Sequence, residues 1–196
     1  GSTITLHYTL KNPQNYDIRS GPVGYGSFSS DAATACASLE NTSAFLHSFD
    51  SAQLTKTNRL TYEVLDDYLE QSLKLAPYTL YNDPLAPMTG IQAQLPILLS
   101  EYQFYSSQDV DTYLELLKKT PEYFQSLLSF EQKRADAGLF MPSYSAADII
   151  DECRDFIAQG DDHYLISTFS DRLSSLGLSE KQNNAYINKN KNYIQK

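Results

Sequence analysis

The first residues alternate strictly. In TITLHYTL, Ile4, Leu6, Tyr8 and Leu10 take turns with Thr5, His7 and Thr9, a period of two that predicts a strand-like segment. The RSGPVGYGSFSSD that follows is rich in Gly, Ser and Pro and predicts loop, so residues 3–29 read as an extended segment and loop. From residue 30 to residue 196 the periodicity becomes helical. Ser29 or Ser30 can cap a helix through DAATACASLENTSAFLHSF, and Thr55 or Thr57 can cap the next. In that second helix Leu60, Val64, Leu65, Tyr68, Leu69 and Leu73 form one apolar stripe, and Pro77 marks its end. A helix over about 91–105 follows, and Ser107 is placed to cap QDVDTYLELLKK.

The clearest boundary signals come next. Thr120 at a cap, Pro121 at the first helical position, Glu122 in the first turn and Gly138 past the end predict a separate helix over TPEYFQSLLSFEQKRADAG. Ser145 and Asp148 have capping-box spacing in SAADIIDECRDFIAQG, and Gly160 closes that helix. Asp161 or Asp162 starts another that Gly177 ends, and Ser179 starts the last. The fold expected is mainly α, an irregular bundle of about six to eight helices with a short N-terminal strand-like segment. Residues 1–196 read as a single helical domain, with Gly1–Ser2 a cloning remnant. The final helix meets no stop signal, which points to the N-terminal part of a longer protein.

Composition excludes more than it selects. With 41% hydrophobic and 20% charged residues, 196 residues suffice for a packed core and argue against disorder. The net charge of −9 opposes binding to phosphate backbones, and the Lys-rich last helix suits a helix C-terminus instead. No nucleic-acid partner is expected. No stretch approaches the roughly 20 apolar residues of a membrane span. The two cysteines, Cys36 and Cys153, make no CxxC and read as free thiols among apolar neighbours. Fifteen Tyr and no Trp suggest half-wet surfaces, of the kind that line a cleft.

A search for chemistry finds no site. His7, His47 and His163 form no close ligand pair, so no metal ligand is assigned. Asp148, Asp151, Glu152 and Asp155 share a helical face opposite Ile149, Ile150, Cys153, Phe156 and Ile157, and read as the solvated side of an amphipathic helix. Asp66, Asp67 and Glu70 read likewise. There is no G-x-S-x-G elbow, and GPVGYG lacks the context of a phosphate loop. No catalytic residue and no cofactor are assigned to this chain.

Several ordered stretches carry a resemblance. TLHYTLKNPQNYDI, DPLAPMTGIQAQLPILLSEYQF, DVDTYLELLKKTPEYFQSLLSFEQKRADAGLFMP and DIIDECRDFI resemble the N-terminal half of the bacterial proteins catalogued as domain of unknown function 885. The spacing agrees from residue 4 to residue 194. Full members of that family look like helical zinc metallopeptidases whose His-Glu pair and second His lie in the C-terminal half. The resemblance implies that zinc belongs to the full-length parent, that the C-terminal catalytic half is this chain's partner, and that the parent is extracytoplasmic or lipid-anchored. None of the family's ligands can be carried onto a residue of this chain.

One stretch then gains a meaning. In YNDPLAPMTGIQAQLPILLSEYQF, Pro84 and Pro87 stiffen the approach to a helix, Gly90 permits a sharp turn into it, and Pro96 bends the axis one turn inside. Such an approach suits a preorganised cleft wall, with Tyr81, Asn82, Gly90, Gln92 and Tyr102 as substrate-cleft candidates for a peptide. The leading expectation is a non-catalytic N-terminal helical region that shapes or covers the peptide cleft of a zinc peptidase-like protein. Alternatives are an autonomous helical module binding a protein or peptide in a groove, and a hydrolase with a site assembled from scattered residues.

Overall fold

The computed structural model describes residues 3–10, 13–19 and 21–195. The fold is mainly α, and among the described residues there is no strand. Helices run over Thr3–Thr9 (α1), Ala32–His47 (α2), Lys56–Leu75 (α3), Ile91–Ser100 (α4) and Ser107–Asp136 (α5). They continue with Ser143–Ala158 (α6), Tyr164–Ser167 (α7), Phe169–Ser174 (α8) and Glu180–Ile194 (α9). The described residues gather into two compact units, one drawn from 1–28, 83–129 and 140–196, the other from 29–82 and 130–139.

In the first unit the expected N-terminal strand is a helix. Among the described residues no neighbouring strand is there to satisfy its backbone, and an isolated strand has no stability of its own. Coiled as α1, the same residues place Ile4, His7 and Tyr8 on one side at i, i+3 and i+4. Ile4 is buried. The His7 ring stacks on Tyr102 at 3.8 Å, and its Nε2–H donates to the Gln103 carbonyl at 3.0 Å. The Tyr8 hydroxyl donates to the Leu98 carbonyl at 2.6 Å. Burial, then Glu101, push that phenol up to about 12, with Arg172 opposing.

The segment after α1 lies along α5. Phe28 N–H donates to Ser126 Oγ at 3.1 Å, and the Tyr25 and Phe28 rings sit 5.0 and 5.1 Å from Tyr123. The core of this unit joins Leu95, Leu99, Tyr102 and Phe104 to Val110, Tyr113, Leu114, Leu116 and Leu117 of α5, and to Leu165, Phe169 and Leu173. Asn190 of α9 is buried and donates to the Leu165 carbonyl at 2.8 Å.

Several boundary expectations fail. The α2 cap is Asp31 rather than Ser29 or Ser30, and the helix expected over about 91–105 ends at Ser100. The one expected from Asp161 or Asp162 begins at Tyr164, with His163 as its cap. The helices expected on either side of Thr120 are one helix, α5, with Pro121 inside it. Thr120 Oγ1 donates back to Leu116 O at 3.1 Å rather than capping a new start. Buried residues on both sides of Pro121, Leu116 and Leu117 before it and Leu127 after it, favour continuing the helix over one missing backbone donor. The stop signal does hold: Gly138 has φ +73°, and the bonds Gly138 N–H to Ala135 O and Leu139 N–H to Arg134 O close a Schellman turn. The α6 capping box is absent, because that helix starts at Ser143 after Pro142, without a side-chain cap.

In the second unit α2 and α3 form a hairpin followed by the tight turn Ala76–Tyr81. Asp31 caps α2, accepting from Ala33 and Thr34 N–H, and Thr55 caps α3, accepting from Asn58 N–H at 3.3 Å. Arg59 ties the connection by donating to the Ser51 and Ala52 carbonyls, each at 3.2 Å. Arg134 is buried, pairs with Glu131 at 2.8 Å and donates to the Leu80 carbonyl at 3.1 Å. The α3 stripe expected from the sequence is only partly used: Leu69 is buried and Leu73 half-buried, while Leu60, Val64, Leu65 and Tyr68 are exposed.

These contacts yield checkable outcomes. Phe169 has no exposed surface, so Phe169→Ala lowers unfolding stability by about 3–5 kcal/mol in a urea titration. Burial lowers His7 below 6.5, with Asp109 and Gln103 opposing, and burial lowers His163 likewise. Both folded-state values lie beneath the unfolded one, so the stability these rings contribute is present above that value and drains as pH falls past it. In an NMR titration both rings change charge below 6.5. Midpoints at or above it would contradict the packing described.

Candidate functional site

The stretch leading into α4 is fixed by its own backbone before any side chain is considered. Gly90 N–H donates to Ala86 O and Ile91 N–H to Pro84 O, both at 2.9 Å, and Thr89 N–H donates to Pro87 O at 2.7 Å. The prolines restrict the residues between these bonds to extended or turn conformations. Met88, at the tip, takes φ +61°, a left-handed conformation costly for an unbranched non-Gly residue and held only by surrounding contacts.

Those contacts come from α6 and α4. Glu152 accepts from Met88 N–H at 2.8 Å through Oε1 and from Gln92 Nε2 at 3.1 Å through Oε2. Gln92 Nε2 also donates to Ala86 O at 2.6 Å, and Gln94 Nε2 donates to Met88 O at 3.1 Å. One carboxylate thus grips the tip of the turn and the first turn of α4 together. Hydrogen bonds to an ionised acceptor are roughly twice as strong as neutral ones, which suits a strained turn.

Gly90 matters here for space rather than for rotation. Its φ of −72° is open to any residue. A Cβ at this position, however, would lie 2.3 Å from Ala86 N, 2.8 Å from Ala86 O and 2.2 Å from Gln92 Oε1. The expected role of Gly90 as a sharp hinge is therefore replaced by close approach of two backbone segments. Pro96 is buried within α4, which runs unbroken from Ile91 to Ser100.

The candidates named from sequence are distributed unevenly. Gly90 and Gln92 meet at the clamp. Tyr102 belongs to the core beneath His7, with its phenol raised first by burial and then by Asp109 and Tyr8. Tyr81 and Asn82 belong to the other unit. There Tyr81 is exposed beside Tyr78, at 6.1 Å between centroids, and Asn82 N–H donates to Thr79 O at 3.1 Å. Glu152 is the residue that sequence reasoning missed. It shares helical spacing with solvated acids, and its partners lie sixty and more positions away, so spacing carries no signal for it.

Chemically, the arrangement holds rather than reacts. Both Glu152 oxygens accept from amide N–H groups, which presents a fixed anion and not a base aimed at a substrate. Among the described residues no group of three or more His, Cys, Asp or Glu is placed to hold a metal ion. His163 uses Nδ1 to accept from Leu165 N–H at 3.1 Å, and its ring sits 4.2 Å from Phe156. Cys36 and Cys153 are free thiols, and burial raises that of Cys153, with Glu152 adding to the shift.

Residues 26–194 match the model of a family described as bacterial protein of unknown function (DUF885). The chain belongs to this family. No curated protein and no solved structure matches it. In this DUF885 chain the matched range contains the whole clamp, from Pro84 to Glu152. Among the described residues no helix is long and apolar enough to cross a membrane.

The clamp predicts a local effect. Glu152→Ala removes the acceptor of Met88 N–H, so hydrogen exchange at that amide accelerates by at least about tenfold while α9 amides keep their rates. Gly90→Ala produces the same acceleration by forcing Ala86 away. Unchanged exchange at Met88 in both variants would mean that the turn is held by something else.

Proposed function

We propose that this DUF885 chain is a non-catalytic N-terminal helical region of a zinc metallopeptidase-like protein, and that the clamped turn at 84–90 forms part of the wall of a peptide-binding cleft. The observation behind this reading is the immobilisation of that turn by Glu152, Gln92 and the Gly90–Ala86 approach. A wall that positions a peptide works by being rigid before the substrate arrives. Met88 at the tip is 76% exposed, which offers a polarisable apolar contact suited to varied side chains.

On this reading the zinc, a general-base Glu and the water nucleophile come from the C-terminal half of a longer parent, as the resemblance implies. No residue described here is proposed as a ligand. The chain's part is to hold the peptide's approach path, and Glu152 acts on substrate only through the turn it fixes.

The test is made on the polypeptide encoded by the full native reading frame. It is expected to bind zinc and to hydrolyse dye-labelled peptides in a chelator-sensitive way. Within it, Glu152→Ala raises KM by roughly 3–10-fold and leaves kcat near its original value, the pattern of lost binding without lost chemistry. A frame that ends at Lys196, a full-length product without zinc or peptidase activity, or turnover by residues 1–196 alone would each overturn the proposal.

A further inference from the structure

His163 is a buried histidine used as a helix cap. It is 3% exposed, and its Nδ1 accepts from Leu165 N–H at 3.1 Å at the start of α7. An imidazole that accepts through Nδ1 is neutral and carries its one proton on Nε2. That Nε2 is buried and has no hydrogen-bond partner among the described residues. The ring lies edge-on to Phe156 of α6 at 4.2 Å and stacks on Tyr164 at 4.7 Å. A second proton would turn the Nδ1 acceptor into a donor that faces another donor. The cap would be lost, and a cation would stand at the positive end of α7.

The charged groups on the elements around α7 are placed elsewhere. In the turn Gly160–Asp162, Asp162 is exposed, and Asp161 accepts from Lys191 Nζ at 2.8 Å and from Gln195 Nε2. On α6 Asp155 is exposed, and Glu152 is taken up by Met88 and Gln92. The sequence of α4 contains no titratable side chain. On α8 Asp171 is exposed, and Arg172 is engaged with the Leu99 and Tyr102 carbonyls. On α9 Lys189 is exposed and Lys191 is held by Asp161. Tyr164, its phenol raised by burial and then by Tyr113, stays neutral.

The peptide of Leu165 carries the consequence outward. Its N–H is held by His163, and its carbonyl accepts from Asn190 Nδ2 of α9 at 2.8 Å. Asn190 is itself 1% exposed, so one residue joins the cap to the last helix. We propose that His163 is a proton-operated latch, which holds α9 on α7 while neutral and releases it on acidification. This inference stands on α6, α7 and α9 and takes nothing from the peptidase reading.

The experiment follows hydrogen exchange and the His163 ring by NMR on one sample of the chain, from neutral pH down through the ring's midpoint. Protection factors are corrected for the intrinsic exchange rate at each pH. Protection at Leu165 and over the α9 amides 186–194 is expected to fall at least about tenfold as the ring takes up its proton. The α5 amides over 110–117 keep theirs. In His163→Asn a side-chain acceptor that does not titrate replaces the imidazole, and α9 protection stays level across the same range. The wild-type midpoints provide a reading that does not depend on the variant folding. A ring that becomes charged while α9 stays protected overturns the proposal. So does a ring that stays neutral until the α5 amides exchange, or a His163→Asn variant that folds and still loses α9 protection on acidification.

Discussion

Much of the first unit converges on the guanidinium of Arg172. Its Nη1 donates to the carbonyls of Leu99 and Tyr102 at 2.9 and 3.3 Å, and Nη2 to the Tyr113 hydroxyl at 3.3 Å. The same group lies 4.8 Å from the Tyr113 ring centroid, 5.0 Å from Phe104 and 5.5 Å from Phe169. A cation beside the last carbonyls of α4 meets the negative end of that helix's dipole, and its flat face suits aromatic neighbours. Lysine could supply the charge but neither the fork of donors nor the plane. Removing Arg172 would take a charged donor from the Leu99 and Tyr102 carbonyls and leave the rings without their central contact, so one residue ties α4, α5 and α8 together.

That junction bears on the candidate site through α4. With the end of α4 fixed by Arg172, its beginning cannot shift freely, and Gln92 and Gly90 sit at that beginning. Glu152 then needs to hold only the turn, not the helix. The strain at Met88 is therefore confined to a short segment between fixed points, where a single carboxylate is able to offset it.

How far the sequence disclosed this depends on whether the signal was local. Caps and stops written in adjacent residues were legible: Thr55, Gly138 and Ser179 act as their positions predict, with Ser179 and Gln182 completing a capping box. The mainly α class followed from periodicity. Signals that tertiary packing can override were misleading. The alternation from Ile4 to Leu10 fits a strand, but i, i+3 and i+4 contacts with Tyr102 and Leu98 favour a helix. Pro121 looks like a start, but the burial shared across it favours continuation. At the site, the Pro-Gly approach drew attention to Gly90 and Gln92, but as cleft candidates and not as members of the clamp they join. Glu152 was not, because only the folded chain brings it to Met88.

The α3 stripe shows the same limit from the other side. Periodicity correctly found the row of Leu60, Val64 and Tyr68, yet periodicity reports only that a face is apolar and not what covers it. Single exposed aliphatic residues need no explanation, since folded proteins carry many. On α3 they follow one another, with Leu60, Val64 and Tyr68 along a shallow apolar groove and Glu63 and Asp67 beside it. Burying charge near Leu69 would be costly, so the acids had to lie somewhere on the exposed arc. That constraint alone explains acids on the surface but not an apolar row among them.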